Sequence, residues 1–474
     1  MTPRLDGRDL AQLAAAGIPA VEAERQLALL ASPPPPARLA RPCTVGDGIL
    51  RLAPERFAEL ERRGAEARDA GRLSKFVPAS GAATRMFAAL AAVRARSLAG
   101  DRAALEAAAR GGDAEAADAL AFARALPELA LARPLARAMG TTVEELARRA
   151  LAEPLGPVLD ALLDAAGLDA ARRPKALLPF HLEGDRPVTA FEEQLVEGLA
   201  YLVDSAGDAR YHFTVPPGEA AGFEAELAAV RARLGAGTAL AVSLSEQARS
   251  TDTLALDEDG RPARADDGRL LLRPSGHGAL LANLEATSGD LVIVKNIDNV
   301  LPRSRHAELA RWKLALAGLA AELSGNAAGA DRDRPLRVAG VVPNAGEPGG
   351  GPFWVESGSG ASSPQIVESA QVARDDAGQR AIFAAATHFN PVDLVVALRD
   401  AGDRPHRLGR FVDPAASFVT TKVENGRRLT VLERPGLWNG AMAGWRTVFV
   451  EVPAWTFAPV KTILDLTRPE HRAS

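Results

Sequence analysis

The sequence predicts an α/β protein with a mainly parallel or mixed central sheet, and two observations support this prediction. After about residue 172, short runs rich in β-branched residues alternate with helical patterns. The rarer residues, which are Lys, Asn, His, Trp and clusters of Gly, lie mostly in the loops that follow the predicted strands. Because open α/β sheets bind ligands at the carboxyl ends of their strands, this placement is expected of a catalytic sheet.

The predicted elements differ in composition along the chain. Residues 1–70 are rich in Ala, Leu, Arg and Glu and are predicted to form a helical N-terminal segment. The prolines at 33–36 interrupt this segment. We interpret them as a stiff connector between two helices or, alternatively, as a recognition motif for a partner. Residues 75–77 form a short apolar strand, and a helix begins near Arg85. From about 100 to 170 the composition again indicates helices, which we interpret as an insertion.

Later strands and helices alternate, and they suggest the domain organisation. Strands are predicted at residues 211–215, 239–244, 291–296, 337–342 and 447–452, with helices at 219–234 and 305–323. A length of 474 residues allows one large domain or two to three medium ones. Beside the helical segment at 1–70, we predict an α/β domain at 71–400 that contains the insertion, and a C-terminal part at 401–474 that completes it. No internal repeat of fixed period is present.

Composition and charge exclude several classes of protein. Hydrophobic residues make up 47% of the chain and charged residues 24%, as in a soluble globular protein. The formal net charge of −4 gives no basic field for nucleic acid. No apolar run approaches the roughly 20 residues that span a bilayer, and the N-terminus lacks the pattern of a secretory signal. The one cysteine, Cys43, cannot form an intrachain disulfide. We therefore expect a cytoplasmic protein without nucleic-acid or membrane partners.

Lysine is rare in this chain, and its positions are therefore candidates for function. Of the 56 basic residues only six are Lys, which leaves 50 Arg. A chain with this bias is expected to keep Lys where a compact ammonium is needed that the flat guanidinium of Arg cannot replace, although any single Lys can also persist by chance. The lysines are Lys75, Lys175, Lys295, Lys313, Lys422 and Lys461.

Two segments indicate contacts with phosphate groups. The first is the small-residue loop between the strand at 75–77 and the next helix, with candidate residues Ala79, Ser80, Gly81, Thr84 and Arg85. Small side chains let backbone N–H groups approach a polyphosphate, and a helix N-terminus favours anions, although a tight strand–helix turn gives the same pattern. The second places Lys175 between two prolines that stiffen its backbone, which suits a phosphate clamp or, alternatively, a solvated surface turn.

Two further segments indicate nucleobase and metal binding. In the first, Gln247 precedes the sequence Gly276-His277-Gly278, whose glycines allow close backbone approach. The amide of Gln247 can read a base edge because it offers a donor and an acceptor, while a plain turn also explains the glycines. In the second, an apolar strand delivers Asp298 at its carboxyl end, where a carboxylate can hold Mg²⁺ between phosphates or simply cap a turn.

In this order the segments resemble those of sugar-nucleotide pyrophosphorylases, over about residues 75 to 465. The loop that ends in Thr84-Arg85-Met86 is similar to the G-x-G-T-R-M loop of that superfamily. Gln247 and the sequence PSGHG at 274–278 resemble the elements that hold uracil in UDP-sugar pyrophosphorylases. PKALLP at 174–179 resembles a P-K-x-L-L-P segment, and Asp298-Asn299 resembles a metal-binding D-N pair. QIVE at 365–368 resembles a V-V-E strand that contacts the sugar. FAPVK at 457–461 resembles an F-x-P-V-K segment whose Lys contacts the phosphates.

The whole chain also resembles an uncharacterised bacterial family, domain of unknown function 4301 (DUF4301). The segments that carry this resemblance are residues 75–87, 250–253 (STDT), 344–353 (NAGEPGGGPF), 387–393 (THFNPVD) and 435–440 (PGLWNG). Together the two resemblances imply a Rossmann-like mixed central sheet of the nucleotide-diphospho-sugar transferase type.

The resemblance to pyrophosphorylases implies an activity and roles for the candidate residues. A sugar 1-phosphate would attack the α-phosphorus of a nucleoside triphosphate, with uridylyl transfer favoured, and pyrophosphate would leave. Arg85, Lys175 and Lys461, with Mg²⁺ on Asp298, would neutralise the leaving group. His277 is assigned to nucleotide contact because the reaction requires no proton transfer. The sugar-side candidates are Glu347, Glu368 and Asn390, whereas Trp438 and Trp445 are predicted to be core residues.

Two departures from the superfamily keep other functions open. The first loop has one Gly, Gly81, where the superfamily commonly has three; alanine restricts positive φ and adds a methyl group against the phosphates. This favours, as an alternative, a non-catalytic nucleotide or nucleotide-sugar binding protein on the same fold. The Gly-rich loop at 347–352 has no counterpart in the characterised enzymes and is an anion or sugar contact, or a mobile turn. A nucleotidyltransferase that acts on a non-sugar phosphate or phosphonate is the third possibility, since the acceptor side is matched least. The oligomeric state does not follow from the sequence.

Overall fold

The computed structural model of the chain describes residues 5–235, 239–327, 329–346, 349–357, 360–373, 375–400, 402–424 and 427–471. Its α-helices are α1 (Gly7–Ala15), α2 (Ala20–Ala31), α3 (Pro54–Asp69), α4 (Ala88–Ala95), α5 (Arg102–Arg110), α6 (Ala114–Ala125), α7 (Ala132–Ala138), α8 (Val143–Ala152), α9 (Gly156–Leu163), α10 (Ala190–Leu202), α11 (Ala220–Leu234), α12 (Leu281–Glu285), α13 (His306–Gly325) and α14 (Ala377–Ala384). Short 3₁₀ turns lie between several of them. No helix in these ranges is long and apolar enough to cross a membrane.

The β-strands form four sheets among these residues. The strands are β1 (Leu39–Pro42), β2 (Thr44–Val45), β3 (Gly48–Leu50), β4 (Leu73–Pro78), β5 (Pro179–Glu183), β6 (Arg186–Thr189), β7 (Asp208–Val215), β8 (Ala239–Glu246), β9 (Ala255–Leu256), β10 (Leu291–Val294), β11 (Leu336–Pro343), β12 (Gly350–Glu356), β13 (Ser362–Glu368), β14 (His388–Ala397), β15 (Phe418–Glu424), β16 (Arg427–Glu433) and β17 (Arg446–Glu451). The largest sheet has nine strands in the order β2-β3-β17-β11-β14-β10-β4-β7-β8.

The large sheet is mixed, which confirms the predicted fold class. Strand β10 runs parallel to β4 and antiparallel to β14, and β11 runs parallel to β17. The apolar strands β10 and β11 are buried along nearly their whole length, as expected of strands covered on both faces. The predicted strands at 211–215, 239–244, 337–342 and 447–452 correspond to β7, β8, β11 and β17, and the predicted helices to α11 and α13.

The structure differs from the predictions at the N-terminus and in the smaller sheets. Strands β1, β2 and β3 lie between α2 and α3, so the segment at 1–70 is not wholly helical. The prolines at 33–36 therefore connect a helix to a strand and not two helices. Three small sheets, β1-β12-β13, β15-β16-β9 and β5-β6, were not predicted. The pairings of β1 with β12 and of β9 with β16 join residues distant in sequence, such as Leu39 with Val355, which no local pattern reveals. The pairs β5-β6, β12-β13 and β15-β16 join neighbouring strands, and the sequence analysis overlooked them.

The chain clusters into two compact units, each built from several segments. Unit 1 comprises residues 1–76, 245–294 and 312–454, and unit 2 comprises residues 77–244, 295–311 and 455–474. Helices α5 to α9, which occupy most of the predicted insertion, belong to unit 2. The boundaries predicted at residues 70 and 400 stay a prediction. In unit 1, a continuous core that includes Phe76, Trp445 and Phe449 also contains buried residues of the strands β10, β11 and β14.

Two glycines in unit 1 allow α3 and α13 to pack backbone to backbone. A Cβ added to Gly64 would lie 1.9 Å from the carbonyl oxygen of Leu314, and one added to Gly318 would lie 1.9 Å from that of Leu60. The rings of Phe57 and Trp312 meet edge to face at 4.7 Å beside this contact. The close approach therefore depends on the absence of side chains at both positions.

We predict that Gly318→Ala destabilises unit 1, because the added methyl group meets a backbone carbonyl that cannot move away as a flexible side chain could. The expected cost is about 1–3 kcal/mol, measured as a lower midpoint of urea unfolding. Gly325→Ala in the same helix is the matched control, since a Cβ at Gly325 would meet no heavy atom within 4 Å. Equal midpoints for the two variants would contradict the prediction.

Candidate functional site

Lys175 lies at the centre of the first group of candidate residues, within unit 2. Its Nζ donates hydrogen bonds to Oδ2 of Asp298 at 2.7 Å and to the carbonyl oxygen of Val460. Its main-chain N–H donates to the carbonyl of Gly81 at 3.0 Å. The side chains of Lys175 and Asp298 are 13% and 25% exposed, so the ion pair is largely buried but can still be reached by a ligand. We call Gly81, Lys175, Asp298 and Val460 the Lys175 cluster.

The small-residue loop is held at its two ends and offers donors between them. The N–H of Ala79 donates to the Thr214 carbonyl at 2.9 Å, and that of Ala83 to the Arg173 carbonyl at 3.2 Å. The intervening N–H groups of residues 80–82 donate to no residue that the structure describes. The chain then enters a 3₁₀ turn at Thr84–Phe87 that leads into α4. The loop therefore has backbone donors available for an anion.

The alanines of this loop cause no backbone strain. Outside glycine, positive φ values occur in the described chain only at Ser97, Asp169 and Asp403, so Ala79, Ala82 and Ala83 have ordinary backbone conformations. Gly81 also has no positive φ, and a Cβ there would meet nothing within 4 Å. The single Gly in the loop is thus compatible with its conformation, and the restriction on φ that alanine imposes has no effect here.

The loop that carries Asp298 is positioned from two sides within unit 2. From α10, Nε2 of Gln194 donates to the carbonyls of Asn296 at 2.9 Å and Ile297 at 3.3 Å. From the C-terminal segment, the Val460 N–H donates to the Asp298 carbonyl at 3.0 Å. The side chain of Asn299 accepts from the Ala458 N–H at 2.9 Å. These bonds hold the Asp298 carboxylate beside Lys175.

The residues around Asp298 suit one way of holding magnesium and not another. No group of three or more His, Cys, Asp or Glu side chains in the described ranges could hold a metal ion. An all-protein metal cage is therefore absent from this part of the chain. Mg²⁺ is, however, commonly bound by one or two carboxylates together with substrate phosphates. A single carboxylate, Asp298, fits a Mg²⁺ ion that arrives with a phosphate ligand.

The other two predicted cations lie on the segments of the Lys175 cluster. Arg85 is exposed in the 3₁₀ turn that follows the small-residue loop, where Thr84 donates to the Ala171 carbonyl at 3.2 Å. Lys461 directly follows Val460 and is exposed. Its N–H donates to the Asp465 carboxylate at 2.7 Å, which begins the next 3₁₀ turn. Lys461 therefore adjoins a cluster residue in sequence, whereas Arg85 follows Gly81 by four positions.

The remaining lysines have mainly structural surroundings. Lys75, Lys295 and Lys313 are buried. Lys295 pairs with Glu197, and Lys313 pairs with Asp393. Burial lowers the pKa of Lys295, and Glu197 opposes this shift. The rare lysines, taken as candidates for function, therefore include members of buried ion pairs as well as Lys175. A compact ammonium fits in such places where a guanidinium does not.

His277 is the centre of the second group of candidates, within unit 1. Its Nδ1 accepts the main-chain N–H of Leu437 at 2.8 Å, and its ring stacks on Trp438 with centroids 4.6 Å apart. Gly276 has a φ of +77°, which an L side chain rarely adopts. A Cβ on Gly278 would lie 1.9 Å from the Pro435 carbonyl oxygen, so that position requires glycine. The Gly-His-Gly sequence therefore packs against the PGLWNG segment.

His277 is neutral at physiological pH. Burial lowers its pKa to about 4, against a smaller opposing effect of Glu433. Because Nδ1 accepts a hydrogen bond, the neutral ring carries its proton on Nε2, which is then a donor. The geometry thus leaves one N–H donor of the ring for another group.

The PGLWNG segment contacts both His277 and Glu368 and so links the two residues. Asn439 donates to Oε1 of Glu368 at 2.9 Å. A Cβ added to Gly436 would lie 3.0 Å from Cε1 of His277 and 3.5 Å from Cγ of Asn439, so Gly436 lies between them. Burial raises the pKa of Glu368, which the bond from Asn439 opposes and the charge of Glu433 supports. We call His277, Glu368, Gly436 and Asn439 the His277 cluster.

Asn390 lies close to Glu368 across the start of β12. A Cβ on Gly350 would come within 2.9 Å of Oδ1 of Asn390 and 2.8 Å of Cα of Glu368. Oδ1 of Asn390 is buried and makes no hydrogen bond in the described chain. Residues 350–352 thus begin strand β12, whose backbone passes close to these side chains. A strand at these positions differs from the mobile turn considered for residues 347–352. Glu347 itself lies outside the described residues.

Gln247, the predicted base-reading residue, is half-buried in unit 1. Its Nε2 is buried and has no hydrogen-bond partner among the residues that the structure describes. A buried amide donor without a partner is energetically unfavourable, so this side chain would gain from a hydrogen-bond acceptor. Sequence reasoning overlooked Asn439 and Gln194. The PGLWNG segment could have indicated Asn439. No sequence signal indicates Gln194, because its helix has the same pattern as many ordinary amphipathic helices.

We predict that the His277 imidazole titrates near pH 4 and carries its proton on Nε2 at pH 7, as measured by ¹⁵N NMR. Because its pKa lies below the ordinary value of 6.5, the unfolded chain binds more protons between these two pH values. The stability that neutral His277 contributes is complete above pH 6.5 and is lost as the pH falls toward 4. In His277→Asn, whose amide oxygen can replace Nδ1 as acceptor, stability is expected to fall less steeply over this range. A His277 signal that titrates near 6.5 would contradict the assignment.

Comparison with known proteins supports the fold. The structure resembles that of the uridine diphosphate N-acetylglucosamine pyrophosphorylase from Trypanosoma brucei, with a TM-score of 0.52 and 14% sequence identity, over 98% of this chain and 79% of that one. A protein from Entamoeba histolytica described as a UDP-N-acetylglucosamine pyrophosphorylase gives 0.45 and 12%, over 85% and 79%. A UDP-glucose pyrophosphorylase variant from Leishmania major with bound UDP-glucose gives 0.37 and 15%, over 62% and 61%. At these identities the likeness concerns the fold, and the first structure carries it.

Sequence comparison identifies the family. None of the curated proteins matches the chain. The profile described as "Domain of unknown function (DUF4301)" matches residues 6–330 and 325–472, which is nearly the whole chain. The predicted resemblance is thereby confirmed. The chain belongs to the DUF4301 family, and its α/β fold resembles that of the pyrophosphorylase from Trypanosoma brucei.

Proposed function

We propose that this protein is a sugar-1-phosphate nucleotidyltransferase, which converts a nucleoside triphosphate and a sugar 1-phosphate into a nucleoside diphosphate sugar and pyrophosphate. The Lys175 cluster is the observation that carries the proposal. It combines an ammonium, a carboxylate and the unused N–H groups of residues 80–82 within one compact unit. These are the groups that binding a magnesium-bound polyphosphate requires.

In the proposed reaction, a phosphate oxygen of the sugar 1-phosphate attacks the α-phosphorus of the triphosphate. The bond between the α- and β-phosphates breaks, and pyrophosphate leaves with the electron pair. The attacking phosphate has its second pKa near 6, so it is already a dianion and needs no general base. The protein must therefore align two polyanions and neutralise the charge that grows on the leaving group.

Lys175, Arg85 and Lys461 would supply positive charge to the phosphates, and Asp298 would hold the Mg²⁺ that adds to it. In the structure, Lys175 and Asp298 neutralise each other at 2.7 Å. A bound triphosphate would offer a better partner to the Lys175 ammonium and release the carboxylate for the metal. The ion pair is thus a resting arrangement of the same two groups that the reaction uses.

The residues of unit 1 support binding of the base and the sugar. The Nε2–H of His277 and the unused amide donor of Gln247 suit the carbonyl oxygens of uracil, with Gly276 and Gly278 allowing close approach. Glu368 and Oδ1 of Asn390 are acceptors that suit sugar hydroxyls, and Glu347 is a further candidate. UTP, Mg²⁺ and a cytoplasmic location stay predictions.

The first test is to incubate the protein with Mg²⁺, each of the four nucleoside triphosphates and a panel of sugar 1-phosphates, and to measure pyrophosphate release. Release is expected with one pair, with UTP as the preferred donor, and EDTA is expected to abolish it. Thermal stabilisation by a nucleotide sugar without any pyrophosphate release would instead favour the non-catalytic binding protein. Release only with a non-sugar phosphate or phosphonate would change the acceptor in the proposal.

We predict that Lys175→Ala lowers kcat by about 10²–10³-fold, as the loss of one charge-stabilising donor commonly does. The variant is expected to fold, because the Asp298 carboxylate left without Lys175 is still 25% exposed to water, and its thermal unfolding midpoint checks this. Arg148→Ala is the control, since Arg148 is an exposed cation of the same unit that pairs with Glu145 outside both clusters. Wild-type turnover in Lys175→Ala would refute the assignment.

A further inference from the structure

The THFNPVD segment at 387–393 carries two side chains that the proposed function does not use, Thr387 and His388. Both residues belong to unit 1, and His388 is the first residue of β14. Thr387 is exposed, whereas the side chain of His388 is buried, with 5% of its surface exposed. An exposed hydroxyl thus lies directly beside a buried imidazole.

His388 joins Thr387 to Glu451 of β17 in one hydrogen-bonded chain. Nε2 of His388 lies 2.9 Å from Oε2 of Glu451, and Nδ1 lies 2.8 Å from Oγ1 of Thr387. Arg51 donates to the two oxygens of the same carboxylate at 2.8 and 3.0 Å. The hydrogen bonds from Arg51 hold the pKa of Glu451 below its ordinary value, and burial opposes them. Glu451 is therefore ionised at neutral pH, and its carboxylate can only accept hydrogen bonds.

The ionised carboxylate fixes the tautomer of His388. Because Glu451 can only accept, the neutral ring of His388 carries its proton on Nε2, and Nδ1 is an acceptor. The hydroxyl of Thr387 must then donate to Nδ1. The carbonyl oxygen of Cys43 is a second acceptor near this hydroxyl, but it lies at 3.4 Å, beyond the usual range for an O–H donor. The hydroxyl proton of Thr387 therefore points at an unprotonated imidazole nitrogen.

The backbone around this hydrogen-bonded chain is fixed on two sides. The carbonyl of Thr387 accepts the N–H of Asn344 at 3.0 Å. A Cβ added to Gly351 would lie 2.6 Å from the carbonyl oxygen of His388, so β12 packs closely against that residue. The N–H of Thr387 itself donates to no residue that the structure describes. It is available to an oxygen atom that gains negative charge beside the hydroxyl.

We infer that Thr387 is a nucleophile for acyl transfer, with His388 as its general base and Glu451 as the group that orients the base. A hydroxyl and a base within hydrogen-bond reach, with a third group that holds the base, form the arrangement that activates a hydroxyl for this chemistry. Because Thr387 is exposed, an ester or thioester of a small acid such as acetic acid can reach it from solvent.

In the inferred reaction, Oγ1 of Thr387 attacks the carbonyl carbon of the ester, and its proton passes to Nδ1 of His388. The N–H of Thr387 donates to the oxyanion, while Nε2–H of the imidazolium stays on Glu451. Nδ1 then gives its proton to the alcohol, which leaves, and the acyl group remains on Oγ1. A water molecule that loses its proton to the same nitrogen releases the carboxylic acid and restores the hydroxyl. The net reaction is hydrolysis of the ester, and it requires no nucleotide.

The release of p-nitrophenolate from p-nitrophenyl acetate by the full chain, without nucleotide or Mg²⁺, tests the inference. Thr387→Val removes the hydroxyl with little change of shape and is expected to lower the rate about 10²-fold or more. Thr387→Ser keeps a hydroxyl and is expected to retain activity. Thr421→Val is the matched control, because Thr421 is an exposed threonine of the same unit on β15. Its rate is expected to equal that of the unmodified chain.

Equal rates in the unmodified chain and Thr387→Val would overturn the inference, and so would a rate in Thr387→Ser as low as that in Thr387→Val. The tautomer of His388 gives a second test that needs no substrate. In ¹⁵N NMR spectra recorded at a pH where the ring is neutral, the proton is expected on Nε2. A proton on Nδ1 would exclude His388 as the base for Thr387 and overturn the inference.

Discussion

The buried polar side of α10 is the constraint on which most of the chemistry of unit 2 depends. Gln194 holds the loop that carries Asp298, Glu197 holds Lys295, and Glu193 holds His181. Glu192, at the start of the same helix, receives Arg186, Arg233 and Arg303. Thr189 caps the helix by accepting the N–H of Glu192 at 3.1 Å. A buried polar group that loses its partner is costly, so each of these contacts restricts the position of a separate segment.

Unit 1 positions its candidate residues by a different means, which is the close approach of backbones at glycines. Gly278 packs on the Pro435 carbonyl, Gly436 separates His277 from Asn439, and Gly350 passes between Glu368 and Asn390. A methyl group at any of these places would displace a neighbour that other contacts hold. Steric exclusion can thus place polar side chains as accurately as a hydrogen-bond network, provided that the space is filled by backbone.

Sequence reasoning predicted the parts of the fold that local patterns encode. The apolar strands β10 and β11 and the helices α11 and α13 follow from periodicity, and the mixed sheet follows from their alternation. Strands β1, β3 and β9 were not predicted, because they are short and pair with distant segments. The pairs β5-β6, β12-β13 and β15-β16 join neighbouring strands and were overlooked although their pairing is local. The role of α10 was also missed, since a helix with Glu and Gln on one side usually turns that side to water.

The sequence by itself determined the family, the order of the elements, and which segments carry Lys175, Asp298 and the Gly-His-Gly turn. These properties depend on residue type and spacing, which a linear pattern contains. Only the tertiary structure decided that Lys175 contacts Asp298, 123 positions away, and that the alanines near Gly81 are free of strain. A hydrogen bond forms or fails over a few tenths of an ångström, and such distances result from the packing of the whole unit.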